Sequence, residues 1–297
     1  MLMAGVAIVA ALGSLGVVVK AHSPLSTTPA PRIELSSDGA SVPMKLFGRR
    51  PVVDLTINGK GPYEFILDTG ADVTMIDSAL AKELALPAAD ANVEDLEPSE
   101  RAVRIDNAAL GDARMLGLVA GTAPLGSFFR QENPPRGVLS AASFPGYLLT
   151  LDYLQKRVTI EKGALPAPDE KSVFAYPAED LLPTLPVHVA GVSTRIHLDS
   201  GSPMGLVLPT KFIKQVPTEG EPKVIGKAHT PSGEALISQA KVKGEITLGK
   251  YILVLDSISF SDVSPGNVPP TGNLGYDVLQ HFAVTLDSQN RRIRLAQ

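Results

Sequence analysis

Cysteine is missing from the 297-residue sequence and only five histidines are present, and these shortages exclude several kinds of chemistry. Without cysteine there is no disulfide, no thiolate metal site, no cysteine nucleophile and no lipoprotein-type cysteine anchor. The histidines show neither a His-Glu-x-x-His spacing nor any other clustered ligand pattern. The sequence therefore predicts no metal and no cofactor.

Concentrated positive charge is also missing. The chain has 27 Lys and Arg residues against 31 Asp and Glu residues, a formal net charge of -4, and no basic cluster. This pattern excludes the electrostatic footprint of a nucleic-acid-binding protein. A Gly-x-Ser-x-Gly elbow and a phosphate-cradling glycine loop are absent too, which argues against a serine hydrolase or a nucleotide enzyme. Peptides remain as candidate partners.

An almost uninterrupted apolar run occupies residues 2–19 and ends before Lys20. This pattern is typical of a cleaved signal peptide, and its length also suffices for a single membrane anchor. We expect residues 1–21 to be one of these two, followed by a tether over residues 22–47. The protein would then be periplasmic, secreted or membrane-anchored facing outside the cytoplasm.

An internal repeat organises the rest of the chain. Each copy reads as strand, tight turn, strand and acidic turn, and each closes with two further strands. The first copy comprises residues 53–59, 63–67, 68–71, 149–152 and 157–160, and the second comprises residues 185–191, 194–198, 199–202, 284–287 and 292–295. Before the closing strands, Gly137-Val138-Leu139 is matched with Asn273-Leu274-Gly275.

The repeat predicts an all-β protein with few short helices. Gly and Pro are frequent, with 26 and 25 residues, so turns and short strands should dominate. We expect two β-barrel lobes related by pseudo-twofold symmetry, over residues 48–163 and 184–297. Residues 164–183 are Pro-rich and charged, and they are predicted to form the linker.

The two acidic turns carry the chemistry. Asp68-Thr69-Gly70 and Asp199-Ser200-Gly201 each follow an apolar strand at equivalent places in the repeat. Two facing carboxylates that share one proton can hydrolyse a peptide, because one takes a proton from water while the other protonates the carbonyl. The repeated tripeptide resembles that of the retropepsin-like aspartic proteases, especially bacterial members built as two fused copies in one chain.

The resemblance covers roughly residues 48–297 and implies a role for each matched position. Asp68 and Asp199 are the expected catalytic residues of an aspartic endopeptidase. The six residues expected to support the dyad are Thr69, Gly70, Ala71, Ser200, Gly201 and Ser202. By resemblance, the two hydroxyls hydrogen-bond across the lobe junction, and the two glycines allow close backbone approach. One chain supplies both aspartates, so a monomer is expected.

The fourth position of the motif differs between the copies. It is Ala71 in the first copy and Ser202 in the second. An extra hydroxyl beside Asp199 would favour its ionised form, so we hypothesise that Asp68 holds the shared proton.

Peptide substrate should lie extended under a β-hairpin flap. The candidate flap tips are Asp106-Asn107-Ala108 and Thr230-Pro231-Ser232-Gly233, each between short apolar runs. Asp152 and Asp287 also repeat, but they are interpreted as turn residues before a final strand.

Two alternatives stay open at this point. The two aspartates could cap turns without any hydrolytic role, or the two-lobed cleft could hold a peptide or protein partner without cutting it.

Overall fold

The computed structural model describes residues 30–89, 101–127, 129, 132–180, 182–230, 233–262 and 271–297. In these ranges the protein is all-β and two-lobed, as the sequence predicted. The α-helices of the described residues are short: α1 spans Ser78–Glu83 and α2 spans Tyr276–Leu279. Single 3-10 turns occupy Leu125–Ser127, Ala141–Ser143 and Thr210–Phe212.

The first half of the chain contributes eleven of the described strands. They are β1 (Arg32–Leu35), β2 (Gly39–Pro43), β3 (Lys45–Phe47), β4 (Arg50–Ile57), β5 (Lys60–Asp68), β6 (Thr74–Asp77), β7 (Ala102–Leu110), β8 (Ala113–Ala123), β9 (Gly137–Ser140), β10 (Leu148–Asp152) and β11 (Arg157–Glu161).

The second half contributes twelve more within the described ranges. They are β12 (Val173–Ala175), β13 (Thr184–Val189), β14 (Val192–Leu198), β15 (Leu206–Leu208), β16 (Lys223–Thr230), β17 (Gly233–Ala240), β18 (Ile246–Leu248), β19 (Tyr251–Ile252), β20 (Ile258–Phe260), β21 (Asn273–Leu274), β22 (Ala283–Asp287) and β23 (Arg292–Ala296).

The N-terminal lobe is a closed barrel. Its strands run in the order β8-β6-β9-β5-β4, and β7 closes the ring by pairing with both β4 and β8. The strand β1 is added outside β8, and β3 is added outside β4. Inside, β4 buries Val53, Leu55 and Ile57 at alternate positions, as expected of a strand with one face on a core.

The C-terminal lobe repeats the central part of this arrangement. Its sheet runs β16-β17-β20-β15-β21-β14-β13-β18-β19. In each lobe the strand that leads to the aspartate pairs in parallel with a short later strand, β9 for β5 and β21 for β14. This matched pairing sets the acidic loops at equivalent places in the two lobes.

Both hairpins that lead to the acidic loops turn through two residues in the left-handed region. Asn58 and Gly59 have φ values of 49° and 76°, and Ala190 and Gly191 have values of 48° and 88°. Two successive positive φ angles are typical of the type I′ turn, whose twist matches that of the flanking strands. The repeat seen in the sequence is therefore reproduced in the turn geometry.

A third sheet joins the lobes, with strand order β12-β23-β22-β10-β11-β2. Its central pair is β10 with β22, in which Thr150 lies opposite Thr285 and their hydroxyl oxygens are 2.9 Å apart. These two threonines are equivalent residues of the repeat. The local pseudo-twofold axis thus passes between them, and the shared sheet fixes the relation of the lobes.

The hydrophobic core is continuous through both lobes. One contiguous cluster includes Phe65 of the N-terminal lobe, Phe174 of the shared sheet and Phe260 of the C-terminal lobe, each at most 1% exposed. Burial of such side chains contributes about 2–3 kcal/mol each. Separation of the lobes would expose this common core, so the junction between them is stabilised by packing.

The predicted tether over residues 22–47 is wrong for its second half. Residues 32–35 pair with β8, residues 39–43 pair with β11, and residues 45–47 pair with β4. These segments are three to five residues long, and the first two form strands by pairing with partners distant in the chain. The predicted 164–183 linker likewise contributes β12, which pairs with β23. Both segments therefore belong to the fold.

Within the ranges described above, no helix is long and apolar enough to span a membrane. Residues 1–29, which hold the predicted signal peptide or anchor, lie outside the described residues.

Candidate active site

The two aspartates lie at the ends of equivalent strands. The strand β5 ends at Asp68, and β14 ends at Leu198, one residue before Asp199. Asp68 is 1% exposed and Asp199 is 4% exposed. Burial of an acidic side chain costs free energy unless hydrogen bonds or opposite charges compensate for the lost water. Two such side chains at one junction therefore mark a candidate functional site.

Thr69 and Ser200 bind the two acidic loops to each other by reciprocal hydrogen bonds. The Thr69 hydroxyl donates to the Leu198 carbonyl at 2.7 Å, and the Ser200 hydroxyl donates to the Leu67 carbonyl at 2.8 Å. Each hydroxyl oxygen also accepts from the main-chain N–H of the other residue, in both cases at 2.9 Å. The structure thus shows the cross-junction contacts that the resemblance implied.

Gly70 and Gly201 let each carboxyl group approach the opposite lobe. A Cβ atom added to Gly201 would lie 2.6 Å from the Asp68 Cγ atom, and one added to Gly70 would lie 2.8 Å from the Asp199 Cγ atom. No side chain fits at those distances, so glycine is required at both positions. The close approach brings the two carboxyl groups together at the lobe junction.

The hydrogen bonds to the two carboxyl groups are unequal. The Asp68 Oδ1 atom accepts main-chain N–H groups from Gly70 at 2.7 Å and from Gly201 at 3.2 Å. The Asp199 Oδ2 atom accepts the side-chain amide of Asn273 at 2.7 Å. Its other oxygen, Oδ1, has no hydrogen-bond partner in the described part of the chain. Asp68 is therefore better prepared to carry a negative charge.

The pKa values follow these contacts. Burial raises the pKa of Asp68 to about 6, and the N–H groups of Gly70 and Gly201 limit the rise. Burial also raises the pKa of Asp199 well above its usual value, and the nearby charge of Asp68 raises it further. Two adjacent carboxyl groups cannot both ionise easily. The pKa of each aspartate is thus raised, and the main-chain N–H groups of Gly70 and Gly201 favour Asp68 as the ionised member of the pair.

The hypothesis that the Ser202 hydroxyl favours ionised Asp199 is wrong, although the Ser202 main-chain N–H does lower the pKa of Asp199. The Ser202 hydroxyl accepts the N–H of Met204 at 3.4 Å and forms no hydrogen bond with the Asp199 carboxyl group among those present. The side chain is fully buried, so it packs against the loop instead of reaching the dyad. Its counterpart Ala71 is 2% exposed, and its carbonyl accepts the Ser140 hydroxyl at 2.6 Å.

A family model described as "Aspartyl protease" matches residues 53–141 of the chain. The match covers less than half of the chain and shows that this part is similar to retropepsin-like aspartyl proteases. The matched residues include Asp68 and end before the second lobe, whose equivalence rests on the internal repeat and on the geometry described above. No curated protein matches the chain. The family supports a protease, in agreement with the resemblance found in the sequence.

Arg50 is a neighbour of the two aspartates that sequence reasoning missed. Its side chain is buried, its Nε atom donates to the Gly201 carbonyl at 2.8 Å, and its Nη1 atom donates to the Gly48 carbonyl at 3.3 Å. Its positive charge lowers the pKa of both aspartates. Arg50 starts β4, far from the acidic motif in sequence, so no local signal revealed it.

Asn273 was also missed as a contact of the aspartate pair, because the prediction matched the two copies one residue out of register. In the parallel pairs, Ile66 lies opposite Val138 while His197 lies opposite Asn273. Asn273 is therefore equivalent to Val138, not to Gly137. With the correct register, the sequence has an asparagine next to one acidic loop where the other copy has Val138. This difference could have identified Asn273 as a contact of the aspartates.

The phenol of Tyr153 is a third ionisable group near the two aspartates. The residue is 7% exposed, and its hydroxyl has no hydrogen-bond partner within the described ranges. Burial, followed by the charges of Asp68 and Asp199, raises the pKa of this phenol. Its ring packs edge-on against Tyr276, with 6.2 Å between the ring centroids. Tyr153 therefore stays neutral and contributes an apolar ring to the dyad surroundings.

One candidate flap tip is wrong. Asp106, Asn107 and Ala108 lie inside β7, where Asn107 pairs with Leu116 and Ala108 pairs with Met115. The hairpin turns instead at residues 111–112, where Gly111 has a φ of 57°. An Asp-Asn pair resembles turn chemistry in sequence, but here strands on both sides hold the segment extended.

The other candidate flap tip remains a prediction. The strands β16 and β17 form a hairpin whose last pair is Thr230 with Gly233. Pro231 and Ser232, which would form the tip, lie outside the described residues.

Asp152 and Asp287 are turn residues, as interpreted. Asp152 accepts the N–H of Gln155 at 2.9 Å, and Asp287 accepts the N–H of Asn290 at 3.0 Å. Among the residues the structure describes, no group of three or more acidic or histidine side chains is placed to hold a metal ion.

Proposed function

We propose that the protein is an aspartic endopeptidase that hydrolyses peptide bonds with a water molecule activated between Asp68 and Asp199. The observation that carries this proposal is the unequal, buried pair of carboxyl groups at the lobe junction. One carboxyl group has a pKa of about 6, and the pKa of the other is raised well above its usual value. A pair that holds one proton at neutral pH contains both a base and an acid.

We infer a role for each aspartate from the unequal environments of the two carboxyl groups. Ionised Asp68 takes a proton from water as the water oxygen bonds to the scissile carbonyl carbon. Protonated Asp199 gives its proton to the carbonyl oxygen, so the tetrahedral intermediate is a neutral gem-diol. When the C–N bond breaks, Asp68 passes its proton to the leaving nitrogen, and Asp199 recovers a proton from the gem-diol. The dyad then returns to its starting protonation state.

A mixed peptide library incubated from acidic to neutral pH tests this function. We expect cleavage within the peptides by the wild type, and a fall in kcat/KM of about 1,000-fold or more in Asp68→Asn and in Asp199→Asn. Undiminished cleavage in either variant would contradict the proposal. Binding of peptides without cleavage would instead indicate a partner-binding protein that uses the same cleft.

We further propose that the protease acts outside the cytoplasm as a monomer. The apolar run over residues 2–19 supports export or tethering, and the supply of both aspartates by one chain supports the monomer. Cell fractionation, with and without residues 1–21, tests the first part. Light scattering after size exclusion tests the second, and a stable dimer would contradict it.

A further inference from the structure

The strand β19 at the edge of the C-terminal lobe takes the same place in its lobe as the start of β8 in the N-terminal lobe. Each follows a hairpin turn with a glycine in the left-handed region, Gly111 with a φ of 57° and Gly249 with a φ of 58°. In both hairpins the residue just before this glycine pairs with the residue two positions after it. Residues 251–254 are therefore equivalent to residues 113–116.

In the N-terminal lobe a strand covers this edge. The strand β1 pairs antiparallel with residues 113–116, and its Ile33 is buried opposite the fully buried Met115. Its Glu34 lies opposite Arg114, with 3.9 Å between the Oε2 and Nη1 atoms. The covering strand thus supplies main-chain partners, an apolar contact toward the core and a charge that matches the edge.

The C-terminal lobe has no equivalent of β1 among the described residues. The strand β12 is the equivalent of β2, since the two pair with the equivalent strands β23 and β11. Counted back from them, residues 164–167 take the place of β1. They include Pro166, which has no N–H to donate. The N–H of Leu165 donates instead to the Asp287 Oδ2 atom at 2.9 Å, which holds this segment on the shared sheet.

The main chain of the equivalent edge is open at two residues. The Leu253 N–H donates to a carbonyl of β18 at 2.8 Å. Because main-chain groups alternate along a strand, the N–H and C=O groups of Ile252 and Val254 point away from β18. The linker meets this outer side at Lys250, whose N–H donates to the Lys171 carbonyl at 3.0 Å. Beyond that contact, no strand of the described ranges pairs with β19 on its outer side.

The side chains of this open edge, residues 250–256, are apolar in the middle and charged at the ends. Ile252 is 64% exposed and Val254 is 93% exposed. Lys250 and Asp256, both exposed, lie at the two ends. Natural proteins usually protect a free edge by placing charges along it, because an apolar edge pairs with other chains. An edge with exposed aliphatic side chains therefore has the character of a binding surface.

We propose that the open edge binds an extended segment of another protein by strand addition, as β1 covers the equivalent edge of the N-terminal lobe. The segment runs antiparallel to the edge. Its basic first residue lies opposite Asp256, and its acidic last residue lies opposite Lys250. Three apolar residues in its middle lie opposite Val254, the half-buried Leu253 and Ile252. Binding of this segment does not require peptide cleavage.

Fluorescence anisotropy with full-length Asp199→Asn, which prevents cleavage of the probe, tests this binding. The probe is the fluorescein-labelled, amidated peptide Lys-Thr-Val-Ile-Val-Thr-Asp. The peptide Asp-Thr-Val-Ile-Val-Thr-Lys has the same composition but places like charges opposite each other, so we expect it to bind about threefold to tenfold more weakly. N-methylation of both valines removes the N–H groups that face the edge and should weaken binding about tenfold or more. N-methylation of the isoleucine, whose N–H points away, should have a much smaller effect.

Variants of the protein locate the binding surface. Ile252→Lys places a charge among the apolar contacts and should weaken binding of the first peptide about tenfold or more. Leu154→Lys changes a leucine that is 49% exposed in the turn between β10 and β11, and it should bind like the parent. In the double variant Lys250→Asp, Asp256→Lys, the preference between the two peptides should invert. A loss of folding cannot produce that inversion.

Several results would overturn strand addition by a partner protein. These are no binding at about 1 mM peptide, binding that survives Ile252→Lys, and equal weakening by N-methylation of the valines and of the isoleucine. A dimer in light scattering that Ile252→Lys disrupts would show that a second copy covers the edge. Binding that appears only after deletion of residues 1–29 would show that the N-terminal segment of the same chain covers it. Either of these two results would also overturn the proposal.

Discussion

Thr69 and Ser200 each accept the main-chain N–H of the other at 2.9 Å, and their hydroxyls donate to carbonyls at the opposite strand ends. The four hydrogen bonds cross the lobe junction. Thr69 and Ser200 directly follow Asp68 and Asp199 in the sequence. This exchange makes the geometry of the dyad dependent on contact between the lobes. We therefore expect that a substitution that loosens the lobe interface also disturbs the geometry of the two carboxyl groups.

The Ser200 hydroxyl is the first test of that dependence. Ser200→Ala leaves the Leu67 carbonyl and the Thr69 N–H buried without a partner, which should lower the free energy of unfolding by about 2–4 kcal/mol. Peptide cleavage should fall as well, because the loops lose their fixed relation. Denaturant unfolding and kcat/KM measure the two effects. Ser200→Thr keeps the hydroxyl and serves as the control, and a loss below about 0.5 kcal/mol in Ser200→Ala would count against the account.

The pH dependence of cleavage follows from the two raised pKa values. Activity needs Asp68 ionised and Asp199 protonated, so it should rise as pH passes through about 6 and fall only at higher pH, when Asp199 loses its proton. We expect an optimum in the neutral range. A pH profile of kcat/KM measures it, and a rising limb near pH 4 would show that burial does not raise the pKa of Asp68.

The same pKa values predict how stability depends on pH. A buried carboxyl group whose pKa lies above its ordinary value binds protons better in the folded state than in the unfolded state. Its contribution is therefore favourable at low pH and is lost as pH rises above about 4. Asp199→Asn removes the titrating group, so it should raise the melting temperature at pH 7 and change it little at pH 4. Calorimetry at both pH values is the measurement, and an equal change at both would argue against a raised pKa.

Asn273 should set the alkaline limb of the activity profile. Its amide lowers the pKa of Asp199 through the 2.7 Å hydrogen bond. Asn273→Val reproduces the valine at the equivalent position of the other lobe and removes this donor. The alkaline limb should then move to higher pH while the acid limb moves less. Val138→Ile is a matched control of the other lobe, and an unmoved alkaline limb in Asn273→Val would mean that the contact has no role in the protonation of Asp199.

The sequence predicted the lobes and the acidic loops because those features repeat. Each copy has a local residue pattern that is typical of a strand, a two-residue turn, a second strand and an acidic turn. Because the pattern occurs twice, each copy supports the interpretation of the other. The structure matches the copies to the level of the φ angles at Asn58-Gly59 and Ala190-Gly191. The cross-junction hydroxyl contacts followed from the resemblance that this pattern carried.

The features that sequence reasoning missed depend on distant partners. Residues 39–43 become a strand only because β11 is available more than a hundred residues later. Arg50 approaches the dyad from the start of β4. Asp106 and Asn107 failed as a turn because pairing with β8 overrides their local preference. In each case contacts with distant parts of the chain determine the structure, and the local residue types do not specify it.

The sharing of one proton by Asp68 and Asp199 can be measured directly by carboxyl ¹³C NMR of protein labelled at aspartate, with Asp68→Asn and Asp199→Asn used to assign the two signals. At pH 7 the account predicts a protonated Asp199 and an ionised Asp68, with the Asp68 signal titrating near pH 6. Two signals that titrate independently near the ordinary aspartate pKa of about 4 would contradict it.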